Sequence, residues 1–315
     1  MTVISIKAPD DLKQIPQILV GQKVALSIGN FDGVHLGHQA LLLKAKKWAK
    51  SHSGAFVLMT FSPHPSLVLN PEQPKPMIFT SEIQDLLVQK AGVDFLVKIH
   101  FNHHLKNLSA EDFFEHYLLH PFNPSFLCVG HDFAFGKDRK GTIAWLAQKT
   151  RQCKIKFEVQ SAVLQQDRPV SSSRIREALT LGEMEVAKSL LGFAYFLKGD
   201  VVRGSQNGRQ IGFPTLNLSL VDPLLIPDGV YVSRTKYAGQ DFLSVTNIGF
   251  APTVSRKVRM AETHLLDFSD QVYGANVEVS LFHRIRGELK FPSLDDLKKQ
   301  IQKDVSLARE FFKNQ

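Results

Sequence analysis

The sequence predicts two domains of different class: a doubly wound, parallel α/β domain, then a compact antiparallel barrel or sandwich. Three observations carry this. The chain has 315 residues, too many for one typical domain and about right for two. Up to about residue 185, short apolar runs alternate with helical patterns. Beyond it, short β-like runs are broken by Gly, Pro, Asn and Asp.

In the first part, 23–28 (KVALSI) reads as a buried strand. Residues 36–52 read as a helix with Leu41, Leu42, Ala45, Trp48 and Ala49 on one face. A second strand follows at 55–61 (AFVLMTF), then five prolines make 62–80 a loop. Residues 81–91 form a helix closed by Gly92, and 94–100 a strand. Residues 109–119 read as one helix entered through a Ser cap. A strand at 125–130, a helix at 142–152 and a strand at 154–159 complete the alternation. Strands separated by helices imply a parallel sheet, whose ligands bind beyond the carboxyl ends of the strands.

Two short helices, 172–181 and 183–191, mark the change of texture. The boundary is placed between 184 and 188, giving domains 1–186 and 187–315. Residues 195–290 hold the β-like runs. Within them 229–235 and 241–245 flank KYAGQ like a hairpin, and 276–282 alternates strongly. A last helix spans about 293–312, with Leu294, Leu297, Ile301, Val305, Ala308 and Phe312 on one stripe.

Composition narrows the class. Hydrophobic residues at 43% and charged residues at 22% exclude a wholly disordered chain, and 23 Phe can fill a large core. Two cysteines, Cys128 and Cys153, make neither a disulfide framework nor a Cys-rich zinc site. No apolar run reaches membrane-span length, and the N-terminus has no apolar core of a secretory signal. The expectation is a cytoplasmic protein. Thirty-eight basic against 30 acidic residues leave a net charge of +8. That excess fits nucleic acid, an anionic small molecule or a solvated surface.

The most informative stretch is SIGNFDGVHLGH, 27–38. A strand ends at Ile28, and Gly29, Gly33 and Gly37 let backbone approach a ligand. His35 and His38, one helical turn apart, can face one point at a helix N-terminus, where phosphate is favoured. Two imidazoles there could donate to phosphate oxygens as charge builds in a transition state. Downstream, Ser171, Ser172 and Ser173 with Arg174 and Arg176 supply hydroxyls and guanidinium forks suited to a triphosphate or pyrophosphate. His64 is presented between two prolines, and Asp132 follows a strand end, where it can reach a ligand or Mg²⁺. Each feature also has a plainer reading: a surface His pair, a Ser cap, a loop His, a turn-forming Asp.

The second part carries KGDVVRGSQNGRQIGFPTLNL, 198–218. Gly199, Gly204, Gly208 and Gly212 surround Arg203 and Arg209, a segment able to cradle phosphate with backbone N–H groups. It is not a Walker A loop, since GxxxxGK[ST] is absent from the chain. Thr215 and Asn217 share a face of an extended segment, and their oxygens suit Mg²⁺ bridging ATP phosphates. Alone, the stretch also fits a β-turn with a basic loop.

GNFDGVHLGH resembles the HxGH signature of nucleotidyltransferases. Its longer form, GxFDGxHxGH, is similar to the adenylyltransferase half of bacterial bifunctional riboflavin kinase/FAD synthetases. FSPHP (61–65), VGHDFAFGKDRKG (129–141) and SSSRIREAL (171–179) agree in the expected order. PTLN resembles the PTxN motif of flavokinases, and IPDGVYVS (226–233), NIGFAPTV (247–254) and ETHLLDFSDQVYG (262–274) match later parts of that domain. The resemblance covers about residues 20–312.

It implies an HxGH, Rossmann-like nucleotidyltransferase domain followed by an antiparallel β-barrel flavokinase domain with a terminal helix. It implies ATP, riboflavin and FMN as substrates, FMN and FAD as products, and Mg²⁺ as the ion. In the first domain it places His35 and His38 in catalysis. Gly29, Asn30, Phe31, Asp32, Gly37, Ser172, Arg174 and Arg176 then meet ATP, and His64, Asp132 and Phe133 meet FMN. In the second it makes Glu262 the base for the ribityl 5′-hydroxyl. Gly204, Gly208, Arg209, Gly212, Thr215 and Asn217 then bind ATP, the last two also Mg²⁺. Asp304 and Arg309, on the last helix, would close over the flavin. Three positions depart from the family: Leu216 in place of Ala, Gln84 where a Lys is common, and His131 where an acidic or polar residue is frequent.

Two rival readings remain. One is an adenylyltransferase for another acceptor, with an accessory β-domain; the pairing of PTLN with Glu262 argues against it. The other is a basic nucleic-acid-binding protein without activity. The chain spreads its charge and lacks an RNA-recognition signature, so neither nucleic acid nor membrane is expected as a partner. Oligomeric state is left open.

Overall fold

The computed structural model describes residues 1–203, 211–220, 224–252, 257–268 and 272–314. The chain divides into two compact units, Met1–Ser171 and Ser172–Gln315.

The first unit is built on a six-stranded parallel sheet: β1 (Thr2–Ile6), β2 (Val24–Ile28), β3 (Ala55–Ser62), β4 (Phe95–His100), β5 (Phe126–Gly130) and β6 (Lys156–Gln160). Their order is β1-β4-β3-β2-β5-β6. Central β2 is buried at every position, which is why its sequence is a continuous apolar run without alternation. The direction of winding reverses at β2, between β3 and β5, and the carboxyl ends of strands at such a reversal are where ligands of open α/β sheets bind. The helix Leu36–Ser51 buries Leu41, Leu42, Ala45 and Ala49, while Trp48 stacks on Phe126 at 5.2 Å.

Three elements depart from the sequence expectation. β1 is an additional edge strand, pairing β4 alone; with only Ile4 and Ile6 buried, it carries too short a pattern to be read. The expected single helix at 109–119 is Ala110–Phe113 followed by a π-type turn, Phe114–Leu119, and a last turn His120–Phe122. Pro121 has no amide to donate, and the widened turn keeps Phe113, Phe114, Tyr117, Leu118 and Phe122 in the core. Within the expected loop 62–80, Pro65–Leu69 is helical, capped by His64. A small hairpin, β7 (Leu164–Gln165) with β8 (Arg168–Pro169), ends the unit.

The second unit starts with the helices Ser172–Leu181 and Met184–Leu191. Six strands follow: β9 (Phe196–Val202), β10 (Leu216–Ser219), β11 (Gly229–Tyr237), β12 (Gln240–Pro252), β13 (Lys257–Leu265) and β14 (Asn276–Arg286). They form a closed antiparallel barrel ordered β10-β13-β12-β11-β14-β9, in which β9 pairs again with β10. Of the barrel and the sandwich that the residues left open, the barrel is the one formed.

Its interior contains a chain of buried hydroxyls. Ser233 meets Ser244 and Thr246 at 2.8 Å each, Thr235 meets Ser244 at 2.9 Å, and Thr246 meets Thr263 at 3.0 Å. Each hydroxyl can donate to one neighbour and accept from another, which satisfies these groups away from water. Residues of the other parity, Val230, Val232 and Val245, pack on the terminal helix Leu294–Lys313 around Ala308. That helix departs from its apolar stripe in two places. Leu294 is exposed, and Asp304 is buried against Arg286, whose Nη2 donates to it at 2.7 Å.

Candidate active sites

In the first unit the chain leaves β2 through a strained turn. Phe31, Gly33 and Val34 take φ of 52°, 83° and 43°, and Phe31 and Val34 are buried while doing so. Asp32 clamps the turn: its buried Oδ1 accepts from the Ile78 amide at 3.0 Å. A Cβ on Gly33 would stand 2.8 Å from Ile78 Cδ1, so this position needs glycine for both conformation and space. The Asn30 carbonyl accepts from Thr60 Oγ1 at 3.3 Å and Gln84 Nε2 at 2.8 Å. Gln84 thus braces the motif through its backbone.

The turn delivers His35 as the N-cap of helix Leu36–Ser51. His35 Nδ1 accepts from the His38 amide at 3.3 Å, so the neutral imidazole carries its proton on Nε2. The two rings stack at 3.7 Å with 15° between planes, and Phe31 lies against His38 at 5.1 Å. Burial, then the neighbouring His35, push the His38 imidazole well below its ordinary pKa. His38 Nδ1 is buried with no hydrogen-bond partner among the described residues. Gly37 brings the helix backbone under the pair; a Cβ there would touch the His35 ring at 3.2 Å.

Other expected residues of this unit sit at the same carboxyl edge of the sheet. His64 follows β3; its Nδ1 accepts from the Ser66 amide at 3.1 Å and meets Ser66 Oγ at 2.7 Å. Asp132 and Phe133 follow β5, the other neighbour of β2. The Asp132 carbonyl accepts from Arg139 Nη2 at 3.3 Å, and Phe133 stacks on Phe135 at 5.5 Å. Ser172, Arg174 and Arg176 lie on the helix Ser172–Leu181 of the second unit, with both arginines half-buried.

In the barrel, strand register builds the site. Glu262 on β13 stands opposite Asn217 on β10 and opposite Asn247 on β12. Their neighbours Ala261 and Thr263 point into the interior, so Asn217, Glu262 and Asn247 share the outer face. Leu216 pairs with Thr263 and turns inward, so its departure from the family pattern leaves this row intact. Thr215 immediately precedes β10, and Pro214 is tied to β13 through its carbonyl, 2.8 Å from His264 Nδ1. Burial, then the charge of Glu288, raise the Glu262 carboxyl above its ordinary pKa. Gly212 turns with φ of 88°, whereas Gly204, Gly208 and Arg209 lie outside the described residues.

On the terminal helix, exposed Arg309 donates from Nη2 to Asp267 at 2.7 Å. Asp304 does not reach outward, because Arg286 and Gln300 hold its buried carboxylate; its role is to fasten the helix. Asn247 and Glu288 escaped the sequence reading. Asn247 meets Glu262 only through the β12–β13 register, and Glu288 lies against Gly249 on β12 only once the strands are folded together.

Comparison with known proteins follows this division. Residues 19–174 match the family model for FAD synthetase, and residues 191–312 that for riboflavin kinase. The chain is similar to the bifunctional riboflavin kinase/FMN adenylyltransferase of Bacillus subtilis (strain 168), 37% identical over 297 residues and 93% of each chain. It is 35% identical to the protein of that description from Escherichia coli (strain K12), covering 98% of this chain and 97% of the other. A solved structure described as a macrolide-efflux protein from Streptococcus pneumoniae superposes with a TM-score of 0.86 at 30% identity. It covers 98% of this chain and 99% of that one. Among the described residues, no helix is long and apolar enough to cross a membrane.

Proposed function

The chain belongs to the family of bifunctional riboflavin kinases/FMN adenylyltransferases, and from that premise we propose how its residues divide the two reactions. The protein phosphorylates riboflavin with ATP to give FMN, and adenylylates FMN with ATP to give FAD and pyrophosphate.

We assign adenylyl transfer to residues 1–186 and phosphoryl transfer to 187–315. In the first reaction an FMN phosphate oxygen attacks the α-phosphorus of ATP in line, and the bond to pyrophosphate breaks. His35 offers its Nε2 proton to the developing charge, and His38, stacked on it, donates a ring N–H to the same phosphate oxygens. Gly29, Asn30, Phe31, Asp32 and Gly37 shape the phosphate-facing turn, with Asp32 acting by its clamp on Ile78. Ser172, Arg174 and Arg176 take the leaving pyrophosphate, and His64, Asp132 and Phe133 the flavin nucleotide.

In the second reaction Glu262 takes the proton of the ribityl 5′-hydroxyl as that oxygen bonds the γ-phosphorus of ATP, and the bond to the bridging oxygen breaks, releasing ADP. A raised carboxyl suits the task, since a base works best with a pKa near the operating pH. The single observation that carries this reading is the register row Asn217–Glu262–Asn247, which puts an acid between two amides on one barrel face. Gly204, Gly208, Arg209 and Gly212 cradle the ATP phosphates, and Arg309 meets the flavin.

The Thr215 hydroxyl and the Asn217 amide oxygen beside Glu262 are hard donors that fit magnesium. Among the described residues no group of three His, Cys, Asp or Glu could hold a metal, so the remaining ligands would be phosphate oxygens and water. Bound there, magnesium would neutralise charge on the ATP phosphates.

The partners are accordingly small molecules, and the compartment the ATP-containing cytoplasm. Incubating the purified chain with riboflavin, ATP and Mg²⁺ tests the reading. FMN appears first and FAD follows. FAD formed from supplied FMN, without riboflavin phosphorylation, would remove the kinase assignment. Salt-steep binding to nucleic acid without turnover would favour the non-enzymatic rival.

A further inference from the structure

The turn that carries the two histidines is gripped twice by one neighbouring segment, residues 78–84. The Ile78 amide donates to Asp32, and Gln84 Nε2 donates to the Asn30 carbonyl. The two contacts fall on either side of Phe31. The segment runs into the helix Ser81–Lys90, which Thr80 caps by accepting from the Ile83 amide at 3.4 Å. That helix is fixed to the sheet beside Gln84: Lys98 on β4 donates to Ser81 Oγ at 3.0 Å and to Asp85 Oδ2 at 2.7 Å. Gln84, half-buried, thus reaches the turn from a seated base.

A peptide group is planar, so holding its oxygen sets its plane. Thr60 and Gln84 together hold the oxygen of the Asn30–Phe31 peptide. Phe31 follows directly, with φ of 52°, a backbone state that a bulky residue keeps only where its surroundings impose it. Its ring is 1% exposed. A Cβ at Gly29 would stand 3.2 Å from Phe31 Cε2, and the ring lies against His38. A continuous chain of contacts therefore runs from Gln84 through one peptide and one aromatic ring to His38.

We propose that Gln84 is a positioning residue of adenylyl transfer, holding the Asn30–Phe31 peptide so that Phe31 keeps the His38 ring in place. This rests on His38 serving that reaction. Gln84 acts through backbone, so its donor is what counts, not its bulk. Without it the Asn30 carbonyl keeps only the longer bond from Thr60, 3.3 Å against 2.8 Å. The peptide is then free to turn, and Phe31 relaxes from its left-handed φ. His38 keeps His35 on one side and loses the support of Phe31. Small displacements of a catalytic group lower the rate steeply.

The test is the steady-state kinetics of FAD formation from supplied FMN in the full chain, with riboflavin phosphorylation and thermal unfolding as controls. Gln84→Glu keeps the shape but, once ionised, has no donor. It lowers kcat for FAD formation about tenfold and leaves the KM for FMN and riboflavin phosphorylation little changed. Gln84→Leu, which adds no charge and cannot donate, falls with it. Gln84→Lys regains a donor and keeps most of kcat. Gln89→Glu makes the same charge change at an exposed position of the same helix and leaves kcat unchanged. An unchanged kcat in Gln84→Glu and Gln84→Leu, with His38→Ala inactive in FAD formation, overturns the proposal and leaves His38 in its role. Equal losses in Gln84→Lys and Gln84→Glu overturn it too, because the donor would then not be what counts. FAD formation retained by His38→Ala removes the reading beneath the proposal, and the proposal with it.

Discussion

His38 acts as a neutral group because burial and the adjacent His35 oppose its charge. That has a consequence for stability. Below the ordinary imidazole pKa of 6.5, the unfolded chain binds a proton at His38 that the folded chain refuses. Folded stability is therefore full above that pKa and falls as pH drops toward the lower folded pKa. Replacing His38 with Asn, which cannot titrate, flattens the loss of stability of the first unit between about pH 7 and 5. Denaturant unfolding followed across pH checks this; an unchanged slope would mean that His38 titrates normally in the folded chain. The spacing of the two histidines predicted that they face one point, and the rings do stack. Their tautomer was not legible, since it depends on His35 capping its own helix through the His38 amide. Asp32 was legible as a motif member, yet its clamp on Ile78, 46 residues away, exists only once the loop 62–80 folds back over the turn.

At the scale of elements, two fasteners decide whether the sites keep their shape. The turn after β2 depends on Gly33, with φ of 83° and Ile78 packed where a Cβ would stand. Gly33→Ala costs about 1–3 kcal/mol of stability and lowers FAD formation, leaving riboflavin phosphorylation in place. Calorimetry with the two product assays checks this. The terminal helix depends on the buried Arg286–Asp304 pair. Asp304→Ala leaves a guanidinium unpaired against the helix and costs about 3–5 kcal/mol in the barrel unit. Hydrogen exchange should show early loss of protection in Leu294–Lys313; unchanged protection would contradict the role given to the pair. The central strands were legible because full burial leaves continuous apolar runs, as in VALSI. The π-type turn at Phe114–Leu119 was not, because its cause is tertiary: five bulky side chains seek one core while Pro121 withholds a donor. The burial of Asp304 was hidden likewise: the resemblance had it closing over the flavin, and only the fold brings Arg286 to it.

For the whole molecule, the change of texture near residue 185 announced two kinds of domain, and two family matches fall on either side of it. The FAD synthetase match runs to residue 174, beyond the division of compact units at Ser171, and so takes in Ser172 and Arg174. Assigning that helix start to adenylyl transfer is consistent with the match. Of the basic residues behind the net charge of +8, Arg174, Arg176, Arg203 and Arg209 lie in the segments proposed to meet phosphates. The barrel site was half legible: PTLN and Glu262 stood out by resemblance, while Asn247 and Glu288 needed the register. The central claim is that the two reactions belong to separate sets of residues. Its most direct measurement is a flavin product analysis of two variants given ATP and Mg²⁺. From riboflavin, His38→Ala accumulates FMN and stops there. Glu262→Ala forms no FMN from riboflavin, yet converts supplied FMN to FAD at the unmodified rate. Loss of both products from either single variant, with the chain still folded, would contradict the division.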